Sequence, residues 1–464
     1  MIERLSSGSD RLDTILGGGL PRNGIILIGG NPGSGKTILA QQYVFQNATS
    51  DRPAMYLTTV SEPLEKVLRY GQSLDFFEPS ALGRSVIYED LGRTLNEGGL
   101  AGALECITEL LKRNRPGLVV IDSFRALQTY AADLETFRGF LHELAGRLSA
   151  MPITSFWIGE YNTTDTSNAP EFAVADAILS LGTEREGERD RRVLSVIKLR
   201  GSKSLSGKHA YRLSSAGLHA YPRMADLVNL ERYDRTQERM SSGVPALDAM
   251  LSDGYYRGAS TLLAGPSGVG KTLLALHFIF AGAERGDTGL IATFQENPTQ
   301  LERILNGFSW SLDDPGVELM YRAPVDLYLD EWVYDLLDTV HRTGATRVAI
   351  DSLGDLRASS GDELRFREYV YSLLQRCARA NISVVMTQEV PDLFAVSRLS
   401  EYGISHLSDN LILLQFLRGN SQLKRALTVL KARGSAHDPF TRQYEITSDG
   451  VILGDHFDRT ENLT

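Results

Sequence analysis

The sequence has few cysteines and no long apolar run. Its 464 residues include two cysteines, Cys106 and Cys377, which lie far apart within apolar stretches. Such a pair argues against a disulfide framework and favours reduced, buried thiols. No apolar run reaches the roughly 18–20 residues that a membrane-spanning helix needs, and the first residues do not resemble a signal peptide. We therefore expect a soluble cytoplasmic protein with no membrane segment.

An excess of positive charge is also missing. The 48 Lys and Arg residues are outnumbered by 58 Asp and Glu residues, which gives a formal net charge of −10. Proteins whose main partner is a phosphate backbone usually carry a basic surface. The composition therefore disfavours nucleic acid as a partner. The histidines also lack the spacing of a metal site.

What the chain does contain is a repeat of itself. Residues 4–37 align without a gap on residues 239–272, an offset of 235 positions that continues from Pro63 to Pro298. A period of this size indicates duplication of a whole domain, because the chain is long enough for two cores of roughly 200–250 residues. We predict a first domain at residues 1–225, a linker at 226–237 and a second domain at 238–464.

Each half alternates short apolar strands with amphipathic helices, which is typical of an α/β fold. This alternation predicts a mostly parallel central sheet with helices on both faces, closed by antiparallel strands. The strands are expected at Ile25–Ile28, Met55–Thr58, Leu118–Asp122, Ile153–Ile158 and Val193–Lys198, and in the second half at Thr261–Leu263, Gly289–Thr293, Val348–Asp351, Ile382–Met386 and Ala426–Lys431.

A glycine-rich loop follows the first of these strands in each half. Residues 30–37 and 265–272 both match the pattern G-x-x-x-x-G-K-[ST]. The glycines let backbone N–H groups point at phosphate oxygens, the lysine reaches the β- and γ-phosphates, and the threonine hydroxyl binds Mg²⁺. Two matches at equivalent places predict two ATP sites. Their candidate residues are Gly30, Gly33, Ser34, Gly35, Lys36 and Thr37, and Gly265, Ser267, Gly268, Val269, Gly270, Lys271 and Thr272.

Asp122 and Asp351 end an apolar strand in each half, and a serine follows each of them. A carboxylate at the carboxyl end of a parallel strand lies where such sheets bind ligands, and there it can hold a Mg²⁺-bound water. The alternative is an aspartate that ends the strand and caps a helix. With the loop threonines, the candidate metal ligands are therefore Thr37, Asp122, Thr272 and Asp351.

These motifs together resemble the KaiC family over nearly the whole chain. The resemblance rests on Ser-Ser-Gly-x-x-x-Leu-Asp, the glycine-rich turn, the phosphate loop and Val-x-Ile-Asp-Ser, each present in both halves. It implies two tandem RecA-like P-loop NTPase domains that bind ATP and Mg²⁺. It also implies a hexamer with ATP at the subunit interfaces, an ATPase and Ser/Thr autokinase, a role as a clock or stress-signalling switch, and a KaiB-like or other signalling protein as partner.

The family's catalytic glutamate pair follows the second strand of each domain, and this sequence departs from it. The pair falls on Val60-Ser61 in the first domain and on Gln295-Glu296 in the second. Neither Val60 nor Ser61 can act as a base, and Glu62 is one residue late, which reverses the side-chain direction on a strand. The alternative is that a loop at the end of the strand turns Glu62 inward. We expect the first domain to hold ATP and hydrolyse it slowly. Glu296, also a candidate metal ligand, would serve the second domain as base, with Gln295 orienting the nucleophile.

The family's Ser-Thr phosphate-acceptor pair falls on Ser405-His406. The resemblance implies that Ser405 accepts the γ-phosphate of ATP held by the neighbouring subunit, with Glu296 as base. Ser408 is the next candidate. The alternative is that these serines are ordinary residues of a polar turn.

Two cationic pairs, Lys198-x-Arg200 and Lys431-x-Arg433, occupy equivalent places near the end of each domain. The resemblance implies that each pair reaches the γ-phosphate of a neighbouring subunit's ATP, where an arginine stabilises developing charge. The alternative is a solvated basic strand edge that discourages aggregation. Two other functions remain open for the whole chain, a RecA- or RadA-type DNA-dependent ATPase and a nucleotide-gated scaffold without enzymatic activity.

Overall fold

The computed structural model describes residues 3–59, 64–161, 169–186, 189–224, 236–390, 406–418 and 422–456. The chain forms two compact units, residues 1–226 and 227–464. Each unit is built on one large sheet with nine strands in the described ranges. Within those ranges, none of the helices has the length and apolar character to cross a membrane.

The first unit alternates strands and helices along the chain. Its strands are β1 (Arg4–Leu5), β2 (Leu20–Pro21), β3 (Ile25–Gly30), β4 (Ala54–Thr58), β5 (Val86–Asp90), β6 (Leu118–Asp122), β7 (Thr154–Gly159), β8 (Ala177–Glu186), β9 (Arg189–Leu199), β10 (Lys208–Ser214) and β11 (Gly217–Tyr221). Its helices are α1 (Asp10–Ile15), α2 (Lys36–Asn47), α3 (Leu64–Gly71), α4 (Gly92–Asn114), α5 (Leu134–Ser149) and α6 (Glu171–Val174), with 3₁₀ turns at Pro79–Ala81 and Phe124–Tyr130.

The second unit repeats this order. Its strands are β12 (Arg239–Met240), β13 (Tyr255–Tyr256), β14 (Ser260–Gly265), β15 (Gly289–Thr293), β16 (Val317–Tyr321), β17 (Arg347–Asp351), β18 (Ser383–Glu389), β19 (Asn410–Arg418), β20 (Leu423–Ala432), β21 (Arg442–Thr447) and β22 (Gly450–His456). Its helices are α7 (Pro245–Met250), α8 (Lys271–Ala283), α9 (Pro298–Asn306), α10 (Leu329–Thr343), α11 (Leu353–Ala358) and α12 (Glu363–Arg379), with a 3₁₀ turn at Pro324–Asp326.

The two sheets have the same topology. The strand order is β5-β4-β6-β7-β3-β8-β9-β10-β11 in the first unit and β16-β15-β17-β18-β14-β19-β20-β21-β22 in the second. Pairing is parallel from β5 to β8 and from β16 to β19, and antiparallel beyond them. The predicted α/β fold is therefore confirmed, and each predicted strand overlaps an observed one.

Alternation along the central strands creates two apolar layers in the first unit. Met55 and Leu57 of β4 pack with α4 and α5 on one face, whereas Ala54 and Tyr56 pack with α1 and α2 on the other. Since successive side chains of a strand point to opposite faces, one apolar run supplies both layers. The parallel strands then end together at one edge of the sheet. This carboxyl edge is where the phosphate loop and Asp122 meet.

Candidate nucleotide sites

The phosphate loop of the first unit joins β3 to α2 through backbone that favours glycine. Gly33 and Gly35 have φ angles of 72° and 87°, in the left-handed region that side chains disfavour. A Cβ atom on Gly30 would lie 2.0 Å from the carbonyl oxygen of Leu181. The second unit repeats the left-handed glycines at Gly268 and Gly270, with φ angles of 75° and 106°. The glycines of the motif therefore permit the backbone shape of both loops.

Two polar groups of the first loop fit a phosphate. The Ser34 hydroxyl is buried and has no hydrogen-bond partner among the described residues, which is rare for a buried polar group unless a ligand completes it. The Lys36 ammonium donates hydrogen bonds to the carbonyl oxygens of Gly30 (3.0 Å) and Asn31 (2.9 Å), so it lies folded over the loop. This arrangement suits a triphosphate chain held by backbone N–H groups and one lysine.

A cavity of about 710 Å³ opens beside this loop. Pockets of this size accommodate a small-molecule cofactor such as a nucleotide. Its walls come from the phosphate loop and α2, from α3 and the turn after it, and from the ends of β6 and β7. They include Lys36, Thr37, Val67, Tyr70, Leu74, Asp122, Arg125 and Glu160. The residues present therefore fit ATP.

Asp122 is held at the loop by two hydroxyl groups. Its Oδ2 atom accepts hydrogen bonds from Thr37 Oγ1 (2.8 Å) and from the Tyr56 hydroxyl (2.6 Å). Burial raises the pKa of Asp122, whereas these two hydrogen bonds and the charge of Lys36 lower it. Thr37 and Asp122 are thus adjacent, as two ligands of one metal ion have to be.

The second unit repeats this pairing. Thr272 Oγ1 donates a hydrogen bond of 2.6 Å to Asp351 Oδ2, and Lys271 donates one of 2.8 Å to the carbonyl oxygen of Pro266. The other carboxylate oxygen of Asp351 accepts a hydrogen bond from Thr387, on β18. Thr387 therefore orients the aspartate in the second unit, whereas Tyr56 on β4 does so in the first.

Glu296 lies among the acidic groups around the second loop. Its Oε2 atom accepts a hydrogen bond from Thr293 Oγ1 at 3.3 Å. Burial raises the pKa of Glu296, and the neighbouring charge of Asp351 raises it further. Burial lowers the pKa of Lys271, while the charges of Glu389, Asp351 and Glu296 act in the opposite direction. Glu296 is thus close enough to the loop lysine and the aspartate to act at the same site.

Gln295, the other half of the predicted pair, is directed elsewhere. Its Nε2 atom donates hydrogen bonds to the carboxylate oxygens of Asp355, at 3.1 and 3.2 Å. Asp355 also accepts a hydrogen bond of 2.7 Å from Ser352, the residue after Asp351. Gln295 is therefore linked to the end of β17 through Asp355.

The corresponding positions of the first unit, Val60, Ser61 and Glu62, lie outside the described residues. The structure does show a carboxylate that the sequence reasoning missed, because Glu160 lines the cavity. Glu160 comes directly after β7, and its counterpart Glu389 is the last residue of β18 in the second unit. An alignment of Ile153 with Ile382 would have shown that these two glutamates are equivalent. Since both units have this glutamate, it does not replace Glu296.

Arg125 is a second cavity residue that the sequence reasoning missed. It donates a hydrogen bond to the carbonyl oxygen of Glu160, and its guanidinium lies 5.0 Å from the centre of the Tyr161 ring. Gly354 stands at the equivalent position of the second unit. Comparing the two halves of the sequence could not identify Arg125, because the second half has no arginine at this position.

The Lys198-Arg200 pair lies at the opposite edge of the sheet. Arg200 forms an ion pair with Asp176 at 3.1 Å, and Lys198 donates to the carbonyl oxygen of Phe172 at 3.3 Å. Asp176 in turn accepts a hydrogen bond from the backbone N–H of Ile25, at the amino end of β3. The phosphate loop begins at the other end of this six-residue strand, about 17 Å away at ~3.3 Å per residue. The pair therefore does not point at the loop of its own unit.

The second unit has the same arrangement. Arg433 donates to the carbonyl oxygen of His406 at 2.7 Å and lies 3.9 Å from Asp409, while Lys431 donates to the carbonyl oxygen of Ser408. Asp409 accepts a hydrogen bond of 2.9 Å from the backbone of Ser260, at the amino end of β14. Burial lowers the pKa values of Lys198 and Lys431, and the arginine two residues on lowers each further.

The two candidate phosphate acceptors differ in what the structure shows. Ser405 lies outside the described residues. Ser408 is fully buried, with 0% exposure. A kinase site needs a hydroxyl that can reach the γ-phosphate, so burial argues against Ser408 as an acceptor in this conformation.

Comparison with known proteins agrees with these features. The family model for the KaiC ATPase matches residues 5–225 and 240–457. The circadian clock oscillator protein KaiC of Rippkaea orientalis is 28% identical over 480 aligned residues, which cover 100% of this chain and 91% of that protein. Circadian clock protein KaiC3 of Synechocystis is 27% identical, with coverage of 98% and 92%. Since the family model matches nearly all of both units, the chain belongs to the KaiC family of ATPases.

Proposed function

We propose that this protein is a ring-forming ATPase and Ser/Thr autokinase whose active sites are completed by neighbouring subunits. The observation that carries the proposal is the position of Arg200 and Arg433. Each lies at the amino edge of its sheet, whereas the phosphate loop of the same unit lies at the carboxyl edge. A cation so placed can contact a phosphate only on another unit. Head-to-tail packing around a ring brings opposite surfaces of equivalent units together.

The chemistry at each loop divides among named residues. Thr37 with Asp122, and Thr272 with Asp351, would hold Mg²⁺, which when bound neutralises charge on the phosphate oxygens. Lys36 and Lys271 would turn from the loop carbonyls to the β- and γ-phosphates. Arg433 of one subunit would stabilise charge on the γ-phosphate held by the next, and Lys431 would add a second cation.

Glu296 would take the proton from the attacking group, either water or the Ser405 hydroxyl. Its raised pKa, caused by burial and by the charge of Asp351, makes it a stronger base than an ordinary glutamate. The first unit has Val60 and Ser61 at the equivalent positions. We therefore infer that the first site mainly holds ATP, which would stabilise the ring, and that the second site carries most of the turnover.

The relatives' names suggest the biological setting. They are circadian clock proteins, and we propose a cytoplasmic hexamer acting as a clock or stress-signalling switch. A KaiB-like or other signalling protein would recognise one nucleotide state of the ring. The net charge of −10 weighs against the alternative of a DNA-dependent ATPase.

A mixing experiment tests completion between subunits. Lys271→Ala removes nucleotide binding by the second unit but leaves its Arg433, and Arg433→Ala does the reverse. Each variant alone should have little ATPase activity. Subunits of the two kinds, disassembled without nucleotide and reassembled together with ATP, should regain part of the wild-type rate at interfaces that pair an intact loop with an intact arginine. If the mixture is no more active than the two variants assayed separately, the site is complete within one subunit.

A further inference from the structure

We propose that the first unit carries a second anion site, built from Arg4, Arg22 and Arg52, which binds a phosphate group. These arginines line one cavity of about 470 Å³, with Asn47, Thr49 and Gly117 among the other lining residues. Arg52 precedes β4 and Gly117 precedes β6. The cavity therefore lies at the amino edge of the sheet, opposite the ATP loop.

Backbone carbonyl oxygens, rather than any carboxylate of the described residues, hold the three guanidinium groups in place. Arg4 donates to the carbonyl oxygens of Gly201 (2.7 Å) and Gly19 (3.4 Å). Arg22 donates to the carbonyl oxygen of Arg4 (3.2 Å), and Arg52 to that of Pro152 (3.2 Å). Within the described part of the chain, none of the three forms an ion pair. Because each guanidinium has five N–H donors and these bonds use one or two of them, donors remain for a ligand.

The negative charge in the described lining of the cavity does not balance the charge of the three arginines. Among the described residues, its lining includes one carboxylate, that of Glu3, and this residue is exposed. Three arginines facing one glutamate leave a net positive charge in a concave site whose walls are partly apolar. Such clefts concentrate small anions. Planar guanidinium groups match the oxygens of a phosphate with paired hydrogen bonds, which favours a phosphate group as the ligand.

In the second unit, acidic residues of the protein itself neutralise the arginines at the equivalent position. Arg257, the counterpart of Arg22, pairs with Glu238 at 2.8 Å and lies 3.5 Å from Asp287. Arg347 fills the interior, 1% exposed, and pairs with Asp287 at 2.9 Å. The internal counter-ion of this cluster is therefore Asp287.

The first unit has lost this arrangement at two positions. Arg52 stands where the second unit has Asp287, and Leu118 stands where it has Arg347. The first change replaces the counter-ion by another cation, and the second removes the guanidinium that fills the interior. An open cavity with unbalanced positive charge results, and an external anion would supply the missing counter-charge.

The binding test uses the full chain, with both ATP loops saturated by Mg²⁺ and a non-hydrolysable ATP analogue. Added phosphate then cannot bind to those loops. Inorganic phosphate and phenyl phosphate are titrated separately by calorimetry at low salt. We expect saturable binding that weakens as salt rises. Equal affinity for the two probes would mean that the phosphate group alone is recognised, whereas tighter binding of phenyl phosphate would point to an organic phosphate.

Arg52→Asp restores the acidic residue of the second unit and should weaken phosphate binding at least tenfold, and Arg52→Gln should cause a smaller loss. Arg52 is exposed, so neither change should alter the melting temperature much. The matched control is Arg93→Asp, the same charge change at an exposed arginine of α4 that pairs with Glu97. The proposal is overturned if wild type shows no saturable binding, or if Arg52→Asp and Arg93→Asp bind phosphate equally well.

Discussion

The hydroxyl of Tyr56 lies 2.6 Å from Oδ2 of Asp122, the same oxygen that accepts a hydrogen bond from Thr37. Tyr56 is fully buried on β4, beside the strand that Asp122 ends. Ile291 stands at its place in the second unit, where Thr387 on β18 supplies the equivalent hydrogen bond. The two units therefore orient Asp122 and Asp351, the candidate metal ligands, from different strands.

This difference predicts effects confined to one unit. Tyr56→Phe removes one hydrogen bond to a carboxylate, which is worth about 1.5–3 kcal/mol, and should weaken Mg²⁺-dependent ATP binding by the first unit at least several-fold. Binding is measured with a fluorescent ATP analogue in a Lys271→Ala background, where only the first loop binds. The control is Thr387→Val in the same background, which should leave the first site unchanged. Equal losses from both changes would contradict a separate positioning role for Tyr56.

A second prediction concerns His277 on the loop helix α8. Its Nε2 atom accepts a hydrogen bond of 3.0 Å from the backbone N–H of Val451, and burial lowers its pKa to about 4. A histidine in the unfolded chain takes up a proton near pH 6.5, whereas the folded one stays neutral until about pH 4. The stability that this neutral histidine provides is thus present above pH 6.5 and is lost as the pH falls towards 4.

The first unit provides the matched substitution. Gln42 is the counterpart of His277, and its Oε1 atom accepts the equivalent hydrogen bond from Leu218 at 2.9 Å without titrating. His277→Gln should therefore flatten the dependence of the unfolding free energy of the second unit on pH between 6.5 and 4, by up to about 1.4 kcal/mol per pH unit. Denaturant unfolding followed by tryptophan fluorescence measures it, since the Trp310 ring lies 4.8 Å from the His277 ring. A variant profile as steep as that of wild type would contradict the assignment.

Sequence alone predicted the parts of the site that depend on strand ends. Asp122 and Asp351 were found because parallel strands finish at one edge, and the loops because eight residues encode their backbone shape. Tyr56 was missed because an aromatic residue in an apolar strand is usually interpreted as part of the hydrophobic core. Its hydroxyl contacts Asp122 only because β4 pairs with β6 in the sheet. The arginine cavity was missed because its residues come from separate segments, and their charge balance depends on which neighbours the fold brings close.

A third prediction concerns the serine hydroxyl that accepts the phosphate. Ser405→Ala should abolish incorporation of phosphate after incubation with Mg-ATP, as measured by mass spectrometry of the peptide containing residues 400–408. Ser408→Ala is the control within the same peptide and should leave phosphorylation intact, because Ser408 is fully buried. Undiminished phosphate on the Ser405→Ala peptide, or none on the wild-type peptide, would exclude Ser405 as the acceptor.

The central claim is that the first site holds ATP and the second turns it over. The direct test compares steady-state ATPase rates of Glu296→Gln and Lys36→Ala with wild type, after gel filtration has confirmed the same assembly state for all three proteins. Glu296→Gln removes the base but keeps the size and most hydrogen bonds of the side chain, and should lower the rate at least a hundredfold. Lys36→Ala should leave most of the turnover per assembled ring. If Lys36→Ala abolishes ATP hydrolysis while Glu296→Gln leaves it unchanged, the two sites have the opposite roles.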